Sequence, residues 1–170
     1  RWIELGHRLM ASDLRRVGIN VDCAPVLDTP VDGAHDIIGD RALAREPATV
    51  ARLGRAAADG LLAGGVLPVI KHIPGHGRAL SDSHHHLPEV RLDLVRLDEW
   101  DFAPFKALND LPAAMTAHVV FKTVDAERPA TTSHDTIEMI RERLGFDGLL
   151  MTDDLSMKAL TGSFRDKAEA

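Results

Sequence analysis

Lys71-His72-Ile73-Pro74-Gly75-His76-Gly77-Arg78-Ala79-Leu80-Ser81-Asp82-Ser83-His84 packs three histidines, a lysine and an aspartate into a loop that follows an apolar run. Upstream, Gly65-Val66-Leu67-Pro68-Val69-Ile70 reads as a short buried strand, which puts Lys71 and His72 at its C-terminal end, with glycines beyond to turn the backbone sharply. In α/β folds that end of the sheet is where sites are built. A Gly/Pro turn decorated with solvated polar residues explains any one of these histidines alone. The whole stretch points to chemistry.

Working outward, the chain alternates helices and strands. Ile3, Met10, Leu14 and Val17 fall near helical spacing between Trp2 and Val17, and Gly18 breaks that scaffold helix. Ile19 to Asp28 then alternates like a strand, with Asp28 at its exit. The segment from Thr29 to Pro47 is too polar for a core element and reads as a long loop of the kind that binds something, Arg41 being its most notable member. A helix over Thr49 to Gly60 leads into the strand before Lys71. After the His-rich loop, Asp98 is expected to cap a helix carrying Trp100, Phe102, Phe105 and Leu108, and Ala113 to Phe121 reads as a third strand with His118 toward its far end. Ser133 caps a helix through Ile137, Ile140 and Leu144, Gly145 ends it, and Gly148 to Thr152 is a fourth strand delivering Asp153 and Asp154.

Four strands that each end in Asp28, Lys71 with His72, His118 or Asp153 argue for parallel α/β architecture with the polar residues gathered at one face. Periodicity does not choose between a doubly wound sheet and a (β/α)8 barrel. No Gly-x-Gly-x-x-Gly fingerprint or P-loop is present, which disfavours nucleotide binding. A barrel takes ~250 residues, so 170 would be only part of one.

Composition narrows the partners. With 45% hydrophobic and 27% charged residues the chain is an ordinary globular one, and a net charge of −6 with no basic run disfavours nucleic acid and anionic lipid. A neutral or small polar ligand fits better. The single cysteine, Cys23, excludes an internal disulfide and is compatible with a reducing, cytoplasmic compartment. No apolar segment approaches the ~20 residues of a membrane span and none resembles a signal peptide, although the chain opens inside an apparent helix and a targeting segment can precede it. Oligomeric state is not legible.

Several motifs in order carry a resemblance: Asp22-Cys23-Ala24-Pro25-Val26-Leu27-Asp28, Ile38-Gly39-Asp40-Arg41, Lys71-His72-Ile73-Pro74-Gly75-His76-Gly77, Asp82-Ser83-His84 with Leu87-Pro88, and Gly145-Phe146-Asp147-Gly148 leading to Thr152-Asp153-Asp154-Leu155-Ser156-Met157. The chain resembles glycoside hydrolase family 3, in particular bacterial β-N-acetylglucosaminidases (β-hexosaminidases) of the peptidoglycan-recycling type. The resemblance implies a single catalytic domain over residues 1–170 that forms the central part of a TIM-type (β/α)8 barrel, about four βα units, with the first and last strands missing and the family's Asp-Gln-Glu-Gly-Gly-Arg segment before Arg1. It implies Asp153 as nucleophile, His84 as general acid/base oriented by Asp82, and Arg41, Lys71 and His72 as holders of sugar hydroxyls, with no cofactor and no metal. Ala42-Leu43 stands where the family usually has Ser-Phe, and Ile73 where Phe is usual; neither is a catalytic position.

The chemistry agrees. Retaining hydrolysis needs a carboxylate on one side of the sugar to form a covalent glycosyl-enzyme and an acid/base on the other to protonate the departing oxygen. Both are usually carboxyl groups, but an imidazole titrating at ~6.5 serves as the acid, and a carboxylate such as Asp82 would fix its tautomer. Asp153 has to be ionised, which donors or cations such as Lys71 favour. Asp154 is a second acid or, because alternation on a strand turns it away, a cap for the next helix. Asp28 binds substrate or caps its strand exit; His118 contacts the sugar or is a hydrogen-bonded rim residue; His76 pins its loop. His85 and His86 compete with His84 for the acid/base role, while His7, His35 and His134 have no catalytic context. Histidines 84 to 86 with His72, His76 and Asp82 are also suitable ligands for zinc, though without the usual spacing. The other readings are therefore a metal-dependent hydrolase on a related barrel and a sugar-binding module without turnover.

Overall fold

The computed structural model describes residues 1–79, 87–157 and 160. Four strands, β1 (Val21–Asp22), β2 (Leu67–Ile73), β4 (Ala113–Thr116) and β6 (Leu149–Thr152), form an all-parallel sheet in the order β1-β2-β4-β6. Pairing runs Val21 to Leu67, Val69 to Ala113 and Met115 to Met151. Consecutive strands of the sheet are joined through helices, which is the connection parallel neighbours require. A second parallel pair, β3 (Glu89–Val90) with β5 (Val120–Phe121), lies outside this sheet.

Helix α1 (Trp2–Arg16) packs on α2 (Pro47–Ala63). The contact is close because α2 and the residue that caps its C-terminus are glycines where they meet α1: a Cβ at Gly60 would strike the Glu4 carbonyl, and one at Gly64 the Ala11 methyl. Ala11 is the residue of α1 that is buried, with Leu14 beside it, whereas Met10 and Val17 are exposed. The expected apolar face is thus rotated, since small residues set the seam. Glu46 caps α2, its carboxylate accepting from Ala48 N–H at 3.1 Å and Thr49 N–H at 2.7 Å, and Pro47 occupies the first turn where no N–H is missed. Helix α5 (His134–Glu142) begins on Ser133, whose Oγ accepts from Thr136 N–H at 3.1 Å.

Three expected elements change. Only Val21–Asp22 of the first strand is laddered; after Pro25, Val26 rejoins as a single bridge to Lys71, with Leu27 N–H bonded to the Lys71 carbonyl at 2.7 Å. The run from Ala113 to Phe121 is two strands rather than one, because Ala117 to Val119 leave the sheet before β5 pairs with β3. Asp98 does not cap a helix: Asp93 caps α3 (Leu94–Glu99), accepting from Arg96 N–H at 2.9 Å, and α4 (Ala103–Ala107) follows separately. Asp98 instead accepts from Lys106 at 2.6 Å and from Arg143, tying α3 to α4 and to the end of α5.

Alternation along the strands builds two faces. Ile70 and Ala114 face the helices and join Leu27, Phe102, Phe105, Phe121, Ile140 and Phe146 in the main core. Val69, Ala113 and Met115 point the other way and pack with Cys23 and Leu67. On that second face Leu149 is 67% exposed and Val21 46%, so the two outer strands are the least covered.

Candidate active site

Asp28 emerges from the bridge at Val26 and is completely buried. One carboxylate oxygen accepts from His72 Nδ1 at 2.6 Å, and the other accepts the backbone N–H groups of His72 at 3.2 Å and His76 at 2.7 Å. Burial would by itself raise this carboxyl; His72, through charge and hydrogen bond, and then His76 outweigh it and hold Asp28 below the usual carboxylate range. Beyond ending its strand, Asp28 therefore orients His72. A carboxylate can only accept, so Nδ1 carries the hydrogen and Nε2 is the ring atom turned to Asp153, whose Oδ2 lies 3.9 Å away.

The register shift between Lys71 and Ile73 explains why two consecutive residues serve one cleft. Strict alternation would send Lys71 and His72 to opposite faces, yet both line a cavity of about 120 Å³ with Ile38, Arg41 and Asp153. Arg41 closes the short 3-10 turn Gly39–Arg41 and is itself held by the Ile37 carbonyl, to which it donates at 2.7 Å. The Asp153 side chain is 27% exposed, open enough to be reached. A larger cavity of about 420 Å³, lined by Pro30, His35, Asp36 and Arg45, shares Ile38 with the cleft but holds none of its candidate catalytic groups.

The stem of the His-rich loop is clamped between Thr29 and Asp101. A Cβ at Gly77 would collide with the Thr29 backbone, and one at Gly75 would press on Asp101. Arg78 Nε donates to both oxygens of Asp101, at 3.2 and 3.0 Å. Burial raises the Asp101 carboxyl even against that guanidinium. Sequence reasoning gave neither residue a role, since Asp101 lies 23 positions from Arg78 in an unremarkable helical stretch. His76 is buried at the edge of the same cavity, its backbone N–H donating to Asp28, and burial lowers its pKa. Asp82 and His84, with His85 and His86, lie outside the described residues.

Asp153 and Asp154 follow β6. Asp153 Oδ1 accepts from Asp154 N–H at 2.8 Å, and Asp154 Oδ1 accepts from Ser156 N–H at 2.8 Å, which closes a turn; the helix that Asp154 was expected to cap lies outside the described residues. His118 is a hydrogen-bonded rim residue: Nε2 donates to the Asp154 carbonyl at 3.0 Å and Nδ1 meets Thr131 Oγ1 at 2.7 Å. Thr131 had no signal in the sequence.

Residues 4–170 match the glycosyl hydrolase family 3 N-terminal domain. The chain belongs to glycosyl hydrolase family 3. A β-hexosaminidase from Methylococcus capsulatus is 43% identical over 166 residues, 95% of this chain and 49% of its own length. Among solved structures, a glycoside hydrolase family 3 β-N-acetylglucosaminidase from Paenibacillus sp. matches with a TM-score of 0.89 and 40% identity over 93% of this chain and 31% of its own. NagZ from Neisseria gonorrhoeae, in complex with N-trifluoroacetyl-D-glucosamine, matches with a TM-score of 0.88 and 36% identity over 98% of this chain and 48% of its own. The chain thus spans about half the length of the curated relatives it matches. The four-stranded parallel arc is part of the family's (β/α)8 barrel, which decides between the two architectures that periodicity left open.

Proposed function

We propose that the full-length polypeptide is a retaining exo-β-N-acetylglucosaminidase that removes terminal N-acetylglucosamine from muropeptide or chitooligosaccharide substrates. The observation that carries this reading is the line Asp28–His72–Asp153 at the strand exits, opening on a cleft that Lys71 and Arg41 also reach. In the first step Asp153 attacks the anomeric carbon, the bond to the leaving oxygen breaks, and His84 gives that oxygen a proton. In the second, His84 takes a proton from water as the water displaces Asp153. Lys71, His72 and Arg41 hold the sugar hydroxyls, and Asp82 orients His84. The relatives' β-hexosaminidase names support the reaction class.

Residues 1–170 are, in this reading, one continuous piece of the catalytic barrel, with further strands joining at β1 and β6. The exposure of Val21 and Leu149 on these edges supports it. Expressed alone, the segment should aggregate or stay partly folded; a soluble monomer that melts cooperatively would contradict the assignment. No helix among the described residues is long and apolar enough to cross a membrane, and the lone Cys23 is compatible with a cytoplasmic site of action.

The test is phenol release from an aryl N-acetyl-β-glucosaminide by the full-length polypeptide, repeated in phosphate buffer with product analysis. Free N-acetylglucosamine supports hydrolysis; its 1-phosphate would show phosphate to be the preferred acceptor. Binding of N-acetylglucosamine by calorimetry without phenol release would favour a sugar-binding module. Loss of turnover on dialysis against EDTA, with recovery on adding zinc, would favour the metal-dependent alternative.

A further inference from the structure

The last residue of β6 in the sheet ladder is Thr152, paired with Thr116, so the Asp153–Asp154 turn extends past the sheet. Among the described residues, the Asp154 carbonyl accepts from Met157 N–H at 3.2 Å, in the same turn, and from His118 Nε2 at 3.0 Å, in the segment after β4. The first closes the turn on itself. The second ties it to a neighbouring strand.

The proton arrangement follows from what each atom can do. A carbonyl only accepts, so His118 Nε2 carries a hydrogen. Burial lowers the His118 pKa and keeps the ring neutral, leaving Nδ1 as an acceptor for the Thr131 hydroxyl at 2.7 Å. Thr116 Oγ1, 3.0 Å from Thr131 Oγ1, donates into the same chain. Thr131 has one hydrogen to give, and the Ala117 carbonyl at 3.2 Å is the longer of its two acceptors, His118 Nδ1 at 2.7 Å being the shorter. Every bond from Thr116 through Thr131 and His118 to Asp154 then runs in one direction, an arrangement in which neighbours strengthen one another. At its far end Asp154 N–H grips the Asp153 carboxylate at 2.8 Å.

We infer that His118 is a positioning residue for Asp153: by holding the Asp154 carbonyl it fixes the peptide whose N–H aims the carboxylate that attacks the sugar. This rests on the nucleophilic role proposed for Asp153. It assigns His118 no contact with substrate. Displacing a reacting group by about 1 Å can cost ~100-fold, so the effect belongs in kcat rather than in KM.

The experiment uses the full-length polypeptide and an aryl N-acetyl-β-glucosaminide with an acidic phenol, whose first step needs no proton and reads the attack by Asp153 alone. His118→Leu should slow the burst of phenol by on the order of 10- to 100-fold with KM within about 3-fold. His118→Gln, whose amide nitrogen stands in for Nε2, should recover most of that rate. A burst of unchanged rate in His118→Leu, or equal losses in both variants, overturns the positioning role while the parent's turnover leaves the catalytic reading standing. A parent that releases no phenol overturns the catalytic reading itself. Nitrogen chemical shifts of the His118 ring provide a readout free of turnover: a neutral ring with hydrogen on Nε2 supports the relay, and hydrogen on Nδ1 alone contradicts it.

Discussion

The cleft and the apolar slab behind the sheet are both buried, but they are held together differently. In the slab, Phe102, Phe105, Phe121, Ile140 and Phe146 interlock, with the Phe102 and Phe121 rings edge to face at 5.7 Å, and any one contact is shared by many neighbours. In the cleft, Asp28 and His72 are buried polar groups that depend on a few named bonds. The difference teaches that the chain separates its sources of stability from its sources of chemistry along the strand direction. Asp28 belongs to both, since losing it would strand buried N–H groups and release His72.

Asp153→Ala should sharpen that separation most. Without the nucleophile, glycosyl-enzyme formation should fall by more than ~10,000-fold whatever the leaving group, while the unfolding free energy stays within about 1 kcal/mol because the side chain is partly exposed. Steady-state kinetics and thermal melts on the same full-length preparation check both halves.

His84→Ala should divide the chemistry itself. A sugar leaving group should slow by on the order of 100- to 10,000-fold, whereas an acidic phenol leaves unaided, giving a burst followed by a slow steady state. The trapped adduct should map by mass spectrometry to the peptide containing Asp153. Were His85→Ala to give the burst instead, the acid/base would move by one residue.

How far these residues could be read in advance depended on distance along the chain. Asp153, Lys71 and His72 were legible because each follows a short apolar run directly, so strand and site residue lie in one local pattern. The bond from Asp28 to His72 spans 44 positions, and only the adjacency of β1 and β2 makes it possible. The same reason hid Asp98, whose partners Lys106 and Arg143 outweigh the capping position its local sequence offered. Glu89–Val90 is too short to show alternation, and without it the Ala113–Phe121 run had no reason to be divided.

Phe105→Ala tests the comparison from the slab. Phe105 is fully buried, and its truncation should destabilise by about 3–5 kcal/mol, with kcat per folded molecule unchanged. Chemical denaturation alongside active-site titration distinguishes loss of folded protein from loss of catalysis.

The smallest effect is in the acid response. His76 and His118 are held neutral by burial, so the unfolded chain binds their protons first as pH falls below ~6.5. Stability should therefore decline from there toward their lowered values, by at most about 1.4 kcal/mol per pH unit for each ring. Asp28 acts later: its folded value is depressed, so its contribution is intact above ~3.9 and fades as pH falls through the folded value. His118→Gln should flatten the decline below pH 6.5 by up to one proton's worth. An unchanged slope in that variant would mean the ring titrates alike in both states.

The contact of Gly77 with Thr29 bears on engineering. What a Cβ at Gly77 would meet is main chain, which has no rotamer to move out of the way. The turn after β2 and the segment after Asp28 are therefore cut to each other's contour, as two teeth of one gear. A designer wishing to transplant the His-rich loop onto another barrel, or to diversify it in a library, would have to carry residues 28–30 with it as a single cassette.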